Sequence, residues 1–432
     1  MSLISSLYTG ASGVQADSTD MGIIGDNVAN ANTIGFKGSR AEFADIMDQD
    51  MIGGGTGSIG LGTRVAASQM LMAQGSIANT GNSTDLALDG NGFFEVKDAD
   101  GNPAYTRAGQ FSVDNGGFLV NPQGLKVQGF GVDANGNVNG TLGDLDIGKQ
   151  SIPPKTTTSI TIKQNLNAAE PIQGAAFDPA NPMIPTGVAS GHATTSIVDS
   201  LGASHQVDIY FVKTGDGSWE YHATTDGANQ TGGTPGTPFE IASGNLSYDT
   251  NGNLTGVTPL TDNFLPPGAT QPQPLNFNFG TVGKADGVSQ FADPSLKVGT
   301  VTTPSFISQD GTEPGSLSRV TIDDKGDITG VFTNGQSKVI GQVAVADFQA
   351  PDQLRRLGNN LYGQTPGSGD AAVGAGGTSG RGTIVAGALE QSNVDLSQEL
   401  INMIVAQRSF QANSKTLSTS DQMLQELMDV KR

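Results

Sequence analysis

The residues of this 432-residue chain best equipped for chemistry are its three histidines, His192, His205 and His222. Three imidazoles in one stretch would suit a zinc ion, but zinc sites hold their ligands at short spacings such as H-x-x-x-H, and no pair here has one. His205 follows the turn "DSLGAS", where a ring bonded to the turn backbone is the ordinary expectation. "GTGSIG" (Gly55–Gly60) fits the dinucleotide pattern G-x-G-x-x-G. No convincing strand leads into it, and no acidic residue stands about 20 positions on to hold a ribose, so it reads as a flexible loop. "DADGN" (Asp98–Asn102) has the spaced oxygens of a calcium loop but lacks the flanking helices and closing glutamate of an EF-hand; it reads as a hairpin turn. The chain has no cysteine, which excludes thiolate chemistry and disulfide staples. G-x-S-x-G, H-E-x-x-H and the P-loop are missing, and no nucleophile stands beside a base. The expectation is a protein that is not an enzyme and holds no metal and no cofactor.

Charge narrows the partners. With 42 acidic and 22 basic residues the formal charge is −20, which repels nucleic acid and anionic membranes. No apolar run reaches the ~18 residues of a membrane helix, so no membrane insertion is expected. The first basic residue is Lys37, so the basic start of a secretory signal is missing; export, if it occurs, needs another route.

The elements that would position any function lie at the two ends. Residues 396–432 contain neither Gly nor Pro. Steps of three and four give Leu396, Leu400, Met403, Gln407, Phe410, Ser414, Leu417, Asp421, Leu424 and Met428, the pattern of an amphipathic helix with a coiled-coil seam. Asp395 and Gln398 are placed to form a capping box, and Lys431 and Arg432 suit the negative end of the helix dipole. The opening segment repeats the pattern through Ile4, Leu7, Ala11, Val14, Ser18, Met21, Gly25 and Val28. Gly10, Gly13, Gly22 and Gly25 together cost this helix roughly 3–4 kcal/mol relative to alanine. Such a helix does not persist alone, but small residues let another helix approach closely. Two readings follow: the two ends pair and become ordered against neighbouring copies, or they form the core of an ordinary helical hairpin.

Between the ends the chain reads as β. Short alternating strands such as "GFFEVKD" and "LKVQGFGVD" are separated by Asp/Asn–Gly turns, and the pattern returns in "RVTIDDKGDITGVFTNG" (Arg319–Gly335). The intervening stretch holds all three histidines and the only tryptophan, Trp219. In it "HQVDIYFVKTGDGSWEYHAT" predicts a hairpin, with Val207, Ile209 and Phe211 on one face opposite Trp219, Tyr221 and Ala223. The expected organisation is multidomain α+β: an N-terminal helix over 1–30, a connector over 31–75, a β domain split into 76–148 and 307–385, a second β domain inserted over 149–306, and a C-terminal helix within 386–432. The connector's glycines, Gly53–Gly55, would permit changes of angle.

The ends also carry a resemblance. "NVANANTIGFK", with Asn27, Ala29, Asn30, Asn32, Thr33, Gly35, Phe36 and Lys37, closely resembles the N-terminal signature of the bacterial flagellar rod and hook axial protein family. "AQRSFQANSK", with Gln407, Arg408, Phe410, Gln411, Ala412 and Asn413, resembles its C-terminal signature. "VDSLGASHQVDIYFVKTGDGSWEYHAT" and "TNGQSKVIGQVAVADFQAPDQLRRLGNNLYGQTPGSG" are similar to interior segments of the family's hook branch. The resemblance implies a homo-oligomer of many copies, forming a curved hollow tube on the basal body that transmits motor torque to the filament as a universal joint. It implies terminal helices lining the tube and an inserted domain outermost. It also implies rod and hook–filament junction proteins at the tube's ends, and a hook cap and the flagellar type III export apparatus during assembly. A distal rod or hook-associated subunit of the same family is the alternative. A secreted β-rich carbohydrate-active protein is the reading from another class, which leaves the paired terminal seams unexplained.

Overall fold

The computed structural model describes residues 3–47, 60–133, 136–184, 186–292 and 301–430. Gly53–Gly55, most of "GTGSIG", and the terminal Lys431 and Arg432 lie outside the described residues. The fold is α+β, with two long helices at the ends and β structure between them. The chain divides into two compact units. One is made of Met1–Gln150, Leu317–Val331 and Ser337–Arg432, the other of Ser151–Ser316 and Phe332–Gln336.

In the first unit, helix α1 spans Leu3–Ala29 and helix α2 spans Leu396–Val430. Asp395 caps α2: its Oδ1 accepts the N–H groups of Ser397 (2.9 Å) and Gln398 (3.3 Å). The reciprocal half of the expected capping box does not form, because the Gln398 side chain turns forward and donates to Asn402 Oδ1 at 3.1 Å. The segment expected as an extended connector contains an antiparallel hairpin, Ser39–Met47 paired with Gly60–Met70. Its alternation is broken by two bulges, at Glu42/Phe43 and Asp45/Met47, which hides a strand period from sequence inspection. The hairpin lies against α1, where Ser12 Oγ accepts from the Thr63 N–H at 3.3 Å.

The first unit's sheet interleaves strands from before and after the excursion into the second unit. Ser337–Val343, Lys126–Val132, Phe93–Lys97, Pro103–Thr106, Leu361–Gly363 and Arg355–Gly358 are neighbours in that order. Its core joins the same two segments: Phe93 and Tyr105 pack with Phe348, Leu354 and Tyr362, and Met70 joins them from the hairpin. The rings meet edge to face, Tyr105–Phe348 at 4.8 Å and Phe93–Tyr362 at 5.6 Å, the arrangement aromatic quadrupoles favour.

The second unit is built on a five-stranded antiparallel meander, Gly191–Val198, Ser204–Gly215, Ser218–Asp226, Pro238–Tyr248 and Leu254–Asp262. Ile209 lies opposite Ala223 and Phe211 opposite Tyr221, so the faces the alternation predicts meet in one buried cluster with Trp219. Ser159–Asn167 adds Ile160, Ile162 and Leu166 to that cluster.

The Asp-x-x-Gly-x turns share one device. In "DADGN", Asp98 Oδ1 accepts from the N–H groups of Asp100 (3.0 Å) and Asn102 (2.8 Å), and Asn102 Nδ2 donates to Oδ2 at 3.1 Å. Asp249 and Asp323 repeat the pattern with Asn253 and Asp327. Bonds from the Asn102 side chain and backbone hold the Asp98 carboxyl below its ordinary pKa. The histidines are likewise absorbed by local pairs. His205 bonds the turn's carboxylate, Asp199 Oδ2, at 2.8 Å rather than its backbone. His192 meets Asp208 and His222 meets Glu240, each at 3.3 Å. Among the described residues no three or more His, Asp or Glu side chains gather as a metal site.

Candidate assembly site

The N-terminal signature forms a clasp that fastens the end of α1 to the rest of the first unit. Asn27 is buried, and its amide pairs with the Ser39 backbone in both directions: Nδ2 donates to the carbonyl at 2.7 Å and Oδ1 accepts from the N–H at 2.9 Å. Asn30 Nδ2 donates to the Asp26 carbonyl at 2.9 Å, and Thr33 Oγ1 donates to Asn30 Oδ1 at 3.1 Å; these bonds close the chain into the turn that ends α1. Gly35 has φ +68°, and a Cβ there would lie 2.6 Å from the Ala108 backbone nitrogen, so both conformation and space demand glycine. Phe36 is buried beneath the Arg356 guanidinium, 5.1 Å from the ring centre. Arg356 also reaches Ser39 Oγ (3.0 Å), Asp26 (3.4 Å) and the Lys37 carbonyl. Ala29 and Asn32 are exposed.

Lys37 closes the clasp. Its Nζ lies 2.6 Å from Glu390 Oε1, and Arg107 Nη1 lies 3.2 Å from Glu390 Oε2. The Lys37 and Glu390 side chains are 1% and 0% exposed. Lys37 Nζ also donates to the Ala73 carbonyl (2.8 Å), the Gly75 N–H donates to Glu390 Oε1 (2.9 Å), and Arg107 Nη2 donates to the Gly90 carbonyl (2.8 Å). Burial pushes the pKa of Lys37 and of Arg107 down, and the Glu390 carboxylate opposes it in both. The Phe93 ring, 5.3 Å from the Arg107 guanidinium, faces the cation as well. Asn393 adds a last tie: its Oδ1 accepts from the Gly38 N–H (2.8 Å) and its Nδ2 donates to the Leu71 carbonyl (2.8 Å). The start and the end of the chain are thus held at one buried point.

Beyond the clasp, α1 and α2 pair antiparallel. Ser6 Oγ meets Ser420 Oγ at 3.0 Å, and Asn413 Nδ2 donates to Asp17 Oδ2 at 2.8 Å. A Cβ on Gly13 would lie 2.6 Å from Asn413 Nδ2, so this glycine makes room for the asparagine. The contact line runs through Gly10, Gly13 and Ala16 on α1 and through Ala406, Asn413 and Ser420 on α2. It sits beside the seam drawn from the large apolar residues. Leu7, Val14, Met21 and Val28 are half-buried and Ala11 is exposed. Met403, Phe410, Leu417 and Leu424 are half-buried, whereas Leu396, Leu400 and Met428 are 47%, 46% and 73% exposed. The side chain of Ile4 lies outside what is described. Gln407, Arg408, Gln411 and Ala412 are exposed, and of the C-terminal signature only Phe410 and Asn413 are partly covered.

Sequence inspection missed Glu390, Arg107, Asn393 and Arg356 because only the fold joins positions so far apart. A signal was present for the helix contact: Ser6, Gly10, Gly13 and Asp17 also recur at three and four, with small side chains in place of large ones. Pairing through small residues leaves large apolar ones facing out, among them Tyr8 (67%), Ile401 (55%), Ile404 (51%) and Val405 (58%).

Four family descriptions match in succession. They are the flagella basal body rod protein over residues 7–37, the flagellar hook protein FlgE/F/G D1 domain over 87–166, the flagellar basal body protein FlaE D2 domain over 165–312, and the flagellar basal body rod FlgEFG protein C-terminal region over 385–430. The flagellar hook protein FlgE of Escherichia coli K12 is 34% identical over 426 residues, covering 97% of this chain and 98% of that one. The chain belongs to the flagellar hook protein FlgE family. The FlgE proteins of Borreliella burgdorferi and Treponema pallidum are 36% and 34% identical, and each alignment covers at least 99% of both chains. The crystal structure of Helicobacter pylori flagellar hook protein FlgE2 aligns with a TM-score of 0.44 at 15% identity, over 73% of this chain and 99% of that one. Lys37 and Glu390 of the clasp, and most of the helix pair, lie in the two segments that match the family's rod-type terminal regions, 7–37 and 385–430.

Proposed function

We infer that this chain is the structural subunit of a bacterial flagellar hook and is not an enzyme. Many copies assemble into a curved, hollow tube that acts as a universal joint between motor and filament. The observation that carries the reading is the apolar face left open on α2, from Leu396 to Val405, in a chain that matches FlgE proteins along nearly its whole length. A helix end of this composition is poorly suited to water and well suited to burial between copies. Relatives matched over 97–100% of this chain bear the hook protein's name, which favours the hook over a rod or hook-associated subunit. The chain works outside the cell on the basal body. Rod and junction proteins bind the tube's ends, and a cap and the flagellar export apparatus serve its assembly. Electron microscopy of the purified full-length protein at rising concentration tests the reading: short curved tubes are expected, and straight rods or a protein that stays monomeric at every concentration would contradict it.

A further inference from the structure

A groove of about 330 Å³ lies in the first unit between α1, the hairpin and α2. Its apolar lining is Ile23, Ile24, Phe43 and Val405, and its charges are Asp17, Asp20, Glu399 and Arg40. Arg40 is already occupied by Gln69 at 3.0 Å and Glu42 at 3.5 Å, which leaves the carboxylates without a cation of their own. Burial first, and then the neighbouring Asp17, pushes the Asp20 pKa up, as happens where a second carboxylate lacks a counter-charge. Helix α1 offers none: it holds Asp17, Asp20 and Asp26 and no basic residue.

The complementary surface is on α2. Within Leu396–Val430 the basic residues are Arg408 and Lys415. Both are exposed, and among the described residues neither charged head has a partner in its own chain. At ~3.6 residues per turn, Ile401, Ile404, Arg408 and Lys415 fall on the side of α2 turned away from Ala406, Asn413 and Ser420, which face α1. Ile404 and Ile401, 51% and 55% exposed, lie about one and two turns before Arg408 on this face. A cation beside isoleucines matches carboxylates beside isoleucine and phenylalanine.

We propose that this outward face of α2 in one copy seats in the groove of the next, with Arg408 set among Asp17, Asp20 and Glu399. The proposal rests on reading the chain as a polymerising subunit and names the contact that reading leaves open. Two different surfaces of one chain meet, so the contact is head-to-tail and repeats without closing on a dimer. The charges fix which copies and which register associate, and the apolar flanks supply burial.

The full-length protein tests this by its polymerisation threshold, measured by pelleting in low salt. Arg408→Glu places a fourth carboxylate at the contact and is expected to raise the threshold at least about tenfold, since like charges at an interface are strongly disfavoured. Asp20→Arg should do the same, and the two together should restore most of the loss. Because Asp20 is half-buried, circular dichroism checks that the Asp20→Arg chain folds, and Arg408→Glu, a change at an exposed residue, carries the test by itself if it does not. An Arg408→Glu chain that polymerises at the native threshold, or a folded double variant no better than the worse single change, overturns the contact. An unaltered chain that never polymerises refutes the subunit reading itself, and the contact with it.

Discussion

Replacing Glu390 with alanine is expected to destabilise the first unit by about 3–5 kcal/mol, the effect of removing one partner from a buried ion pair. Two cations share this carboxylate, Lys37 at 2.6 Å and Arg107 at 3.2 Å, and water does not reach the site. Without Glu390, Lys37 keeps only the Ala73 carbonyl and Arg107 only the Gly90 carbonyl. Lys37 must then deprotonate, draw in water or leave, and Arg107, which keeps its charge, must draw in water or leave; any of these opens the clasp. The loss is electrostatic, so replacing all three residues together with apolar ones (Lys37→Met, Arg107→Met and Glu390→Leu) should recover much of it. Urea unfolding followed by circular dichroism measures the change. Trp219 fluorescence serves as the control, because that side chain is buried in the core of the second unit. An unchanged midpoint in Glu390→Ala would mean that the clasp contributes little.

The second large effect falls on assembly and leaves folding alone. Ile401 and Ile404 are 55% and 51% exposed within their own chain. If the rest of this face of α2 is buried between copies, each contributes roughly 0.8–1.5 kcal/mol per contact, about half the value for a fully exposed side chain. Changing both to serine should then raise the polymerisation threshold roughly tenfold to a hundredfold, since ~1.4 kcal/mol is a factor of ten. The unfolding free energy of the monomer in urea should stay within about 0.5 kcal/mol of the native value, as for surface substitutions generally. Sedimentation reads the first quantity and circular dichroism the second. A double variant that polymerises at the native concentration would place this face outside the contacts.

How far these surfaces were legible in the sequence depended on the distance over which each is specified. The two helices announce themselves, because an apolar period close to 3.6 is a local property and residues 396–432 contain no breaker. The meander hairpin around Trp219 is legible for the same reason: its alternation spans only residues 205–224. The hairpin after residue 38 is not, because two bulges break its period and glycines mark its second strand. Helix pairing was assigned to the largest residues. In the structure the contact goes to the smallest, since Gly10 and Gly13 let the backbones approach and Asn413 fills the space beside them. The large residues left out of that contact are the ones free for another copy. The clasp was legible in part. Asn27–Lys37 stood out by resemblance, but its counter-charge lies 353 positions away at Glu390, and no local pattern links them.

The most direct test of the central claim is to trim the chain to residues 26–395. This keeps Asn27, Lys37, Arg107 and Glu390, and so the clasp, while removing nearly all of α1 and all of α2. Electron microscopy and sedimentation should find a folded protein, with Trp219 fluorescence unchanged, that forms no tubes at concentrations where the full chain does. Tubes of normal form and curvature from the trimmed chain would contradict the account.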